Sequence, residues 1–214
     1  MREVSKAALG FTTALVVSFL SGCSYFYRSS VPPEKVPDGK TASEYYDLGV
    51  QYKGAGWTEQ SRESMKRAIQ LGQGQDIAVK AKRYLETKLP RDPAPEDAVH
   101  LNIKGFNSRI FNKDEAEKVW LECIKKYPRF EWAYSNLGSL YVDEEKYSQA
   151  EEYLNKALEI NPSYVNAWLH LAECKRKEKD FDAAQSCIKK ALALDPDDPV
   201  AKLEKAAEDL RSKQ

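Results

Sequence analysis

The chain has 214 residues, 42% of them hydrophobic and 31% charged, with 10 glycines and 10 prolines. That balance argues against disorder and fits a helix-rich protein long enough to bury a sizeable core. Lys plus Arg and Asp plus Glu each number 33, so no net field draws the chain to nucleic acid or to anionic lipid.

The chain opens on a secretory pattern. Arg2 and Lys6 precede an uncharged, mostly apolar run from Ala7 to Leu20, followed by small residues; this predicts a signal peptide over residues 1–22. Leu20-Ser21-Gly22-Cys23 resembles a bacterial lipobox. The resemblance implies cleavage before Cys23, diacylglycerol on the Cys23 sulfur and acylation of the new amino terminus. Two or more acyl chains anchor stably where one is marginal. The competing reading is an uncleaved membrane helix, since no charge occurs from Ala7 to Tyr27, about 21 residues and long enough to span a bilayer. Both readings put the rest of the chain outside the cytoplasm. Ser24, not Asp, follows Cys23, which resembles the outer-membrane sorting class. The expected address is therefore a bacterial membrane, lipid-anchored and facing the periplasm, the outer membrane in preference to the inner. Residues 23–41 hold three prolines and little periodicity, and read as the lipidated cysteine and a flexible tether.

Helical periodicity then recurs every 34 residues. Residues 42–75 carry Tyr45, Leu48, Gly49 and Tyr52, then Ser61, Met65 and Ala68. Residues 97–130 carry His100, Ile103 and Lys104, then Ala116, Trp120, Cys123 and Pro128. Residues 131–164 carry Tyr134, Leu137, Gly138 and Tyr141, then Ala150, Leu154, Ala157 and Pro162; residues 165–198 carry Trp168, Leu171 and Ala172, then Ala184, Ile188, Ala191 and Pro196. The pattern resembles the tetratricopeptide repeat. That resemblance implies an all-α, right-handed helical solenoid with two antiparallel helices per repeat. It also gives a reason for Gly138: a mid-helix glycine costs roughly 1 kcal/mol relative to alanine, and a close crossing of the two helices at Gly138 and Ala150 would offset it. Lys104 stands at that crossing in residues 97–130, which predicts a splayed or locally rearranged helix pair. His100 takes an inter-repeat packing position in the same alignment.

Between the first two units, residues 76–96 read as one extra helix over residues 76–88 and a Pro-rich connector. An odd helix reverses an up-down stack. Seven extended residues, Leu89 to Pro95, reach roughly 20–25 Å, about the length of that helix, so the connector could run back along it and restore one continuous or slightly kinked solenoid. The alternative is a hinge between two sub-arrays. Residues 199–214 place Lys202 and Lys205 where Trp168 and Leu171 stand one repeat earlier, which predicts a capping helix with a polar outer face.

Little in the sequence supports catalysis. Only His100 and His170 are present, no Gly-rich phosphate loop occurs, and Cys123, Cys174 and Cys187 form no CxxC. The expectation is no enzyme, no cofactor, no metal, no nucleic acid and no small-molecule substrate. The three cysteines read as buried thiols, or Cys174 and Cys187 as a disulfide in an oxidising compartment. In the resembled family the concave groove is lined two, five, six, nine and twelve places into each repeat. This implies Trp132, Ser135, Asn136, Ser139 and Val142, then Asn166, Leu169, His170, Glu173 and Arg176, with Leu101, Asn102 and Ser108 from the degenerate repeat. A neutral, amide-bearing groove suits an extended peptide or a helix. The lysines with which chaperone-binding relatives clamp a terminal carboxylate are missing, so chaperone tails are not expected. The implied function is a lipid-anchored scaffold or adaptor that binds a partner protein or peptide in envelope assembly, similar to tetratricopeptide pilot lipoproteins. The alternative is a structural or dimerising spacer without a dedicated groove.

Overall fold

The computed structural model describes residue 33 and residues 35–211, with side chains through residue 206. The signal peptide of residues 1–22 and the lipidation site Cys23 lie outside the described residues. Ten α-helices and no strand occur among them: α1 (Ala42–Gly54), α2 (Thr58–Leu71), α3 (Asp76–Lys88), α4 (Glu96–Arg109), α5 (Lys113–Lys126), α6 (Glu131–Asp143), α7 (Tyr147–Ile160), α8 (Val165–Lys177), α9 (Phe181–Leu194) and α10 (Pro199–Arg211).

Local chemistry sets the boundaries. Thr41 and Glu44 form a reciprocal capping box on α1, while Asn112, Asp180 and Asp198 accept from the backbone N–H of Glu115, Ala183 and Ala201 at 3.0, 3.1 and 2.8 Å. Each cap satisfies an amide that the helix start leaves orphaned. The hairpin turns repeat one device. Gly56, Glu145 and Lys179 occupy corresponding sites and take φ of 80°, 60° and 68°. The α4–α5 turn has no such residue, and Ile110 and Phe111 stand 72% and 90% exposed there.

Helices pair as α1 with α2, α4 with α5, α6 with α7 and α8 with α9. A Cβ on Gly138 would lie 2.7 Å from Leu154 Cγ and 3.1 Å from the Ala150 carbonyl oxygen, so the bare backbone permits the α6–α7 crossing. In α4–α5 that role passes to Gly105, whose added Cβ would meet the Trp120 indole at 2.6 Å. The helix is rearranged by one position, with no splaying: Trp120 is fully buried and its indole N–H donates to the Asn102 carbonyl at 3.3 Å. Lys104 turns out to Glu115, 3.5 Å away. The same shift buries Val99 and leaves His100 exposed beside Glu96, not packed between repeats.

Two large apolar cores result, with a small third cluster of Val165, Ala191 and Ala201 under α10. One runs from Ala94 through Trp120, Leu137 and Leu154 to Ile188; the other joins Val36, Tyr45, Tyr52, Met65, Ala68 and Ala81. Val36 is 5% exposed, Tyr45 donates to the Pro37 carbonyl at 3.0 Å, and Arg67 pairs with Asp38 at 2.6 Å. The end of the segment read as a flexible tether is therefore docked, because Val36 has an apolar seat. The connector does not retrace α3. Arg62 of α2 holds the Pro90 carbonyl at 2.5 Å, and Gly56 in the α1–α2 turn abuts Val99 and Ile103 of α4. The chain thus turns at the end of α3 and lays α4 against the first hairpin's turn.

Candidate functional site

The inner ridge is built from the first helix of each hairpin. Asn136 of α6 donates to the side-chain oxygen of Asn102 of α4 at 2.8 Å, a pair one repeat apart. Arg109 at the end of α4 donates to Asp143 of α6 at 3.1 Å and to Ser139 Oγ at 3.2 Å. His170 takes the next place in the row, on α8. Burial and then the nearby Arg109 guanidinium push its pKa down to about 4, against the opposing pull of Asp143. It is a neutral imidazole at physiological pH.

That displacement gives a pH prediction. A folded pKa below the unfolded one means the charged form favours the unfolded chain, so this group's contribution is complete above about pH 6.5 and declines as pH falls to about 4. The loss is about 1–3 kcal/mol once solvent access to the half-buried ring is allowed for. His170→Asn should flatten the melting-temperature profile between those two values; an unchanged slope would contradict the assignment.

The predicted groove residues separate into two sets. Trp132, Ser135, Asn136 and Ser139 are 1%, 1%, 6% and 4% exposed, so they are not open to a partner in this structure. Trp132 stacks with Tyr164 at 6.4 Å, and Lys53 of α1 lies 5.8 Å from its ring. Val142 is also buried. Asn166, Leu169, His170, Glu173 and Arg176 on α8 keep partial surface, although Leu169 packs toward Val165, Ala191 and Ala201. Leu101 and Ser108 are partly open and Asn102 is fully buried. Beside Ser108, the degenerate repeat forms a cleft of about 670 Å³ lined by His100, Ile103, Lys104 and Phe111 among others.

What sequence reasoning missed is the charged rim at the turn end of the repeats. Glu131, fully buried at the start of α6, accepts from the Arg91 N–H and from Asn161 Nδ2, both at 2.7 Å. Its other oxygen has no hydrogen-bond partner, and burial pushes its pKa up. Arg91 also donates to the Ile160 carbonyl at 2.7 Å. Farther along, Arg83 of α3 meets Asp197 at 2.9 Å, and Lys88 bonds Asp198 and lies 3.1 Å from Asp195. The cluster of aspartates before α10 and the cations of α3 are both visible in the sequence, but nothing local pairs residues 110 and 114 positions apart. The thiols are quiet: Cys123, Cys174 and Cys187 are free and buried, and burial raises the first two to about 12 and about 11.

The family model of the tetratricopeptide repeat matches residues 141–207. Two solved structures superpose on 56% of this chain and 97% of their own. The first repeat domain of Spaghetti (RPAP3) bound to the HSP90 peptide SRMEEVD has TM-score 0.51 at 22% identity; the first repeat domain of human RPAP3 has 0.50 at 25%. The fold is a tetratricopeptide-repeat solenoid. Among curated proteins, the chain is 26% identical over 200 residues to the type IV pilus assembly protein PilF of Pseudomonas aeruginosa, covering 84% of this chain and 76% of that one. It is 25% identical over 161 residues to Superkiller protein 3 of Schizosaccharomyces pombe, of which it spans only 11%.

Proposed function

We propose that this chain is a lipid-anchored tetratricopeptide-repeat scaffold that holds a protein or peptide partner on its inner ridge during assembly of a bacterial envelope complex. The carrying observation is that ridge: Asn166, Glu173 and Arg176 on α8 keep surface beside the Asn102–Asn136 and Arg109–Asp143 pairs, offering polar groups that bind main-chain amides. The likeness to PilF over most of both chains supports envelope assembly, with pilus assembly as the case that relative suggests. Leu20-Ser21-Gly22-Cys23 supports the anchor. No catalytic step is part of the proposal.

Two arms test it. Cys23→Ala should move the protein from the membrane to the soluble fraction; retention would favour the uncleaved helix. A photo-cross-linking residue at Glu173 on the ridge should capture an envelope protein that the same probe at Lys189 on the exposed face of α9 does not. Equal capture from both sites, or from neither, would leave the spacer reading, which the burial of Trp132, Ser135, Asn136 and Ser139 favours.

A further inference from the structure

The two large cores meet where Gly56 abuts Val99 and Ile103 and, across the inner face, through contacts that are largely ionic and polar. Across the inner face the charged donors come from α1–α3 or the connector: Lys53 over the Trp132 ring, Arg83 on Asp197, Lys88 on Asp195 and Asp198, Arg91 on the Ile160 carbonyl. Their acceptors lie on α6, at the C-terminal end of α7 and in the α9–α10 turn. Arg129 of the α5–α6 turn donates the other way, to Asp92 of the connector at 2.9 Å. Burial and then the Asp195 charge raise the Tyr46 pKa, in keeping with the Arg83–Asp197 contact that sets α3 against the far end of the array. Within the repeat unit, Ser135 Oγ, Asn102 Nδ2 and one Glu131 oxygen are buried without a hydrogen-bond partner. The Arg83–Asp197 pair is exposed on its acidic side and adds little. Lys88 with Asp195 and Asp198 is largely buried, so whatever displaces α3 must supply a cation in its place.

We propose that the acidic rim is a binding site for a basic helical segment, that α3 is its resident occupant, and that the partner displaces α3 by supplying the same chemistry. This rests on the scaffold reading above and names the class of its partner. The template is in the chain. Arg83 and Lys88 project from one helix onto Asp195, Asp197 and Asp198, and Arg91 follows onto the Ile160 carbonyl. Swinging α1–α3 about Leu89–Pro95 leaves each unit its own core but gives up the seat of Gly56 on Val99 and Ile103 and strains the buried Leu89, so an occupant of the rim has to make good that loss. It would bare the rim together with the face of Trp132 that Lys53 covers.

A synthetic peptide of residues 74–95, fluorescently labelled, is the probe, titrated into the full chain at low salt with anisotropy as readout. Arg83→Glu/Lys88→Glu in the chain removes the internal competitor and should tighten peptide binding at least tenfold over the unaltered chain. Adding Asp195→Lys/Asp197→Lys should abolish that gain, because the swapped charges re-form the internal pairs and repel the peptide; Asp198 is kept because it caps α10. A peptide with Arg83, Lys88 and Arg91 changed to Glu should not bind. Circular dichroism confirms that each variant is folded. Equal affinity for the unaltered and opened chains, or no binding to either, overturns the inference. Peptide binding without any capture from Glu173 would sink the scaffold reading alone, and capture without peptide binding would sink this one alone.

Discussion

Glu131→Ala should lower the unfolding free energy by about 3–4 kcal/mol, whereas Glu131→Gln should cost about 1 kcal/mol or less. The carboxylate is fully buried and serves two donors at 2.7 Å, the Arg91 N–H on the connector and Asn161 at the end of α7. Alanine would leave both donors desolvated and unpaired, at about 1–3 kcal/mol each, and would open a cavity. Glutamine keeps the acceptor and gives up only the charge, whose burial is costly anyway. The sign with pH follows. The folded pKa is raised, so this group's contribution is fully present below the unfolded value and is lost as pH rises through the folded one. Glutamine removes that dependence. Urea melts of the three proteins across pH test both statements; equal losses for alanine and glutamine would show that Glu131 fills space and does not tie the connector to the repeats.

Gly138→Val should cost about 3 kcal/mol and Gly138→Ala about 1 kcal/mol, although alanine is the better helix former. Propensity alone favours alanine by about 1 kcal/mol, and overpacking costs about 1–3 kcal/mol. The geometry decides between them. Leu154 at 2.7 Å can shift, but the Ala150 carbonyl at 3.1 Å belongs to the backbone of α7 and cannot rotate away. Gly54, with nothing within 4 Å of an added Cβ, is the internal control: Gly54→Ala should gain about 0.5–1 kcal/mol. If both alanines stabilise alike, the close crossing does not limit the sequence at Gly138.

The repeats were legible because their cause is local and periodic. Leu137, Leu154, Ala150 and Ala157 bury one face per helix, and a 34-residue period shows them twice. Lys104 was misleading for an equally local reason: one position of helical rotation hands the crossing to Gly105, which periodicity does not register. Val36 was misjudged because its seat lies between α1 and α2, outside its own segment. The inner ridge was legible as a row of positions but not as closed or open. Lys53 of α1 lies over Trp132, and Arg83 and Lys88 meet aspartates more than a hundred residues away. Long-range ion pairs carry no spacing rule, so such contacts had to be seen.

The most direct test is a distance across the closed face. Spin labels at Val79 on α3 and Leu203 on α10, both exposed, report it by double electron–electron resonance. The account predicts one short, narrow distribution for the chain alone and a longer one once the residues-74–95 peptide is bound at saturation. A distribution that stays unchanged with peptide bound would place the peptide elsewhere and contradict a displaceable α3 over the working face.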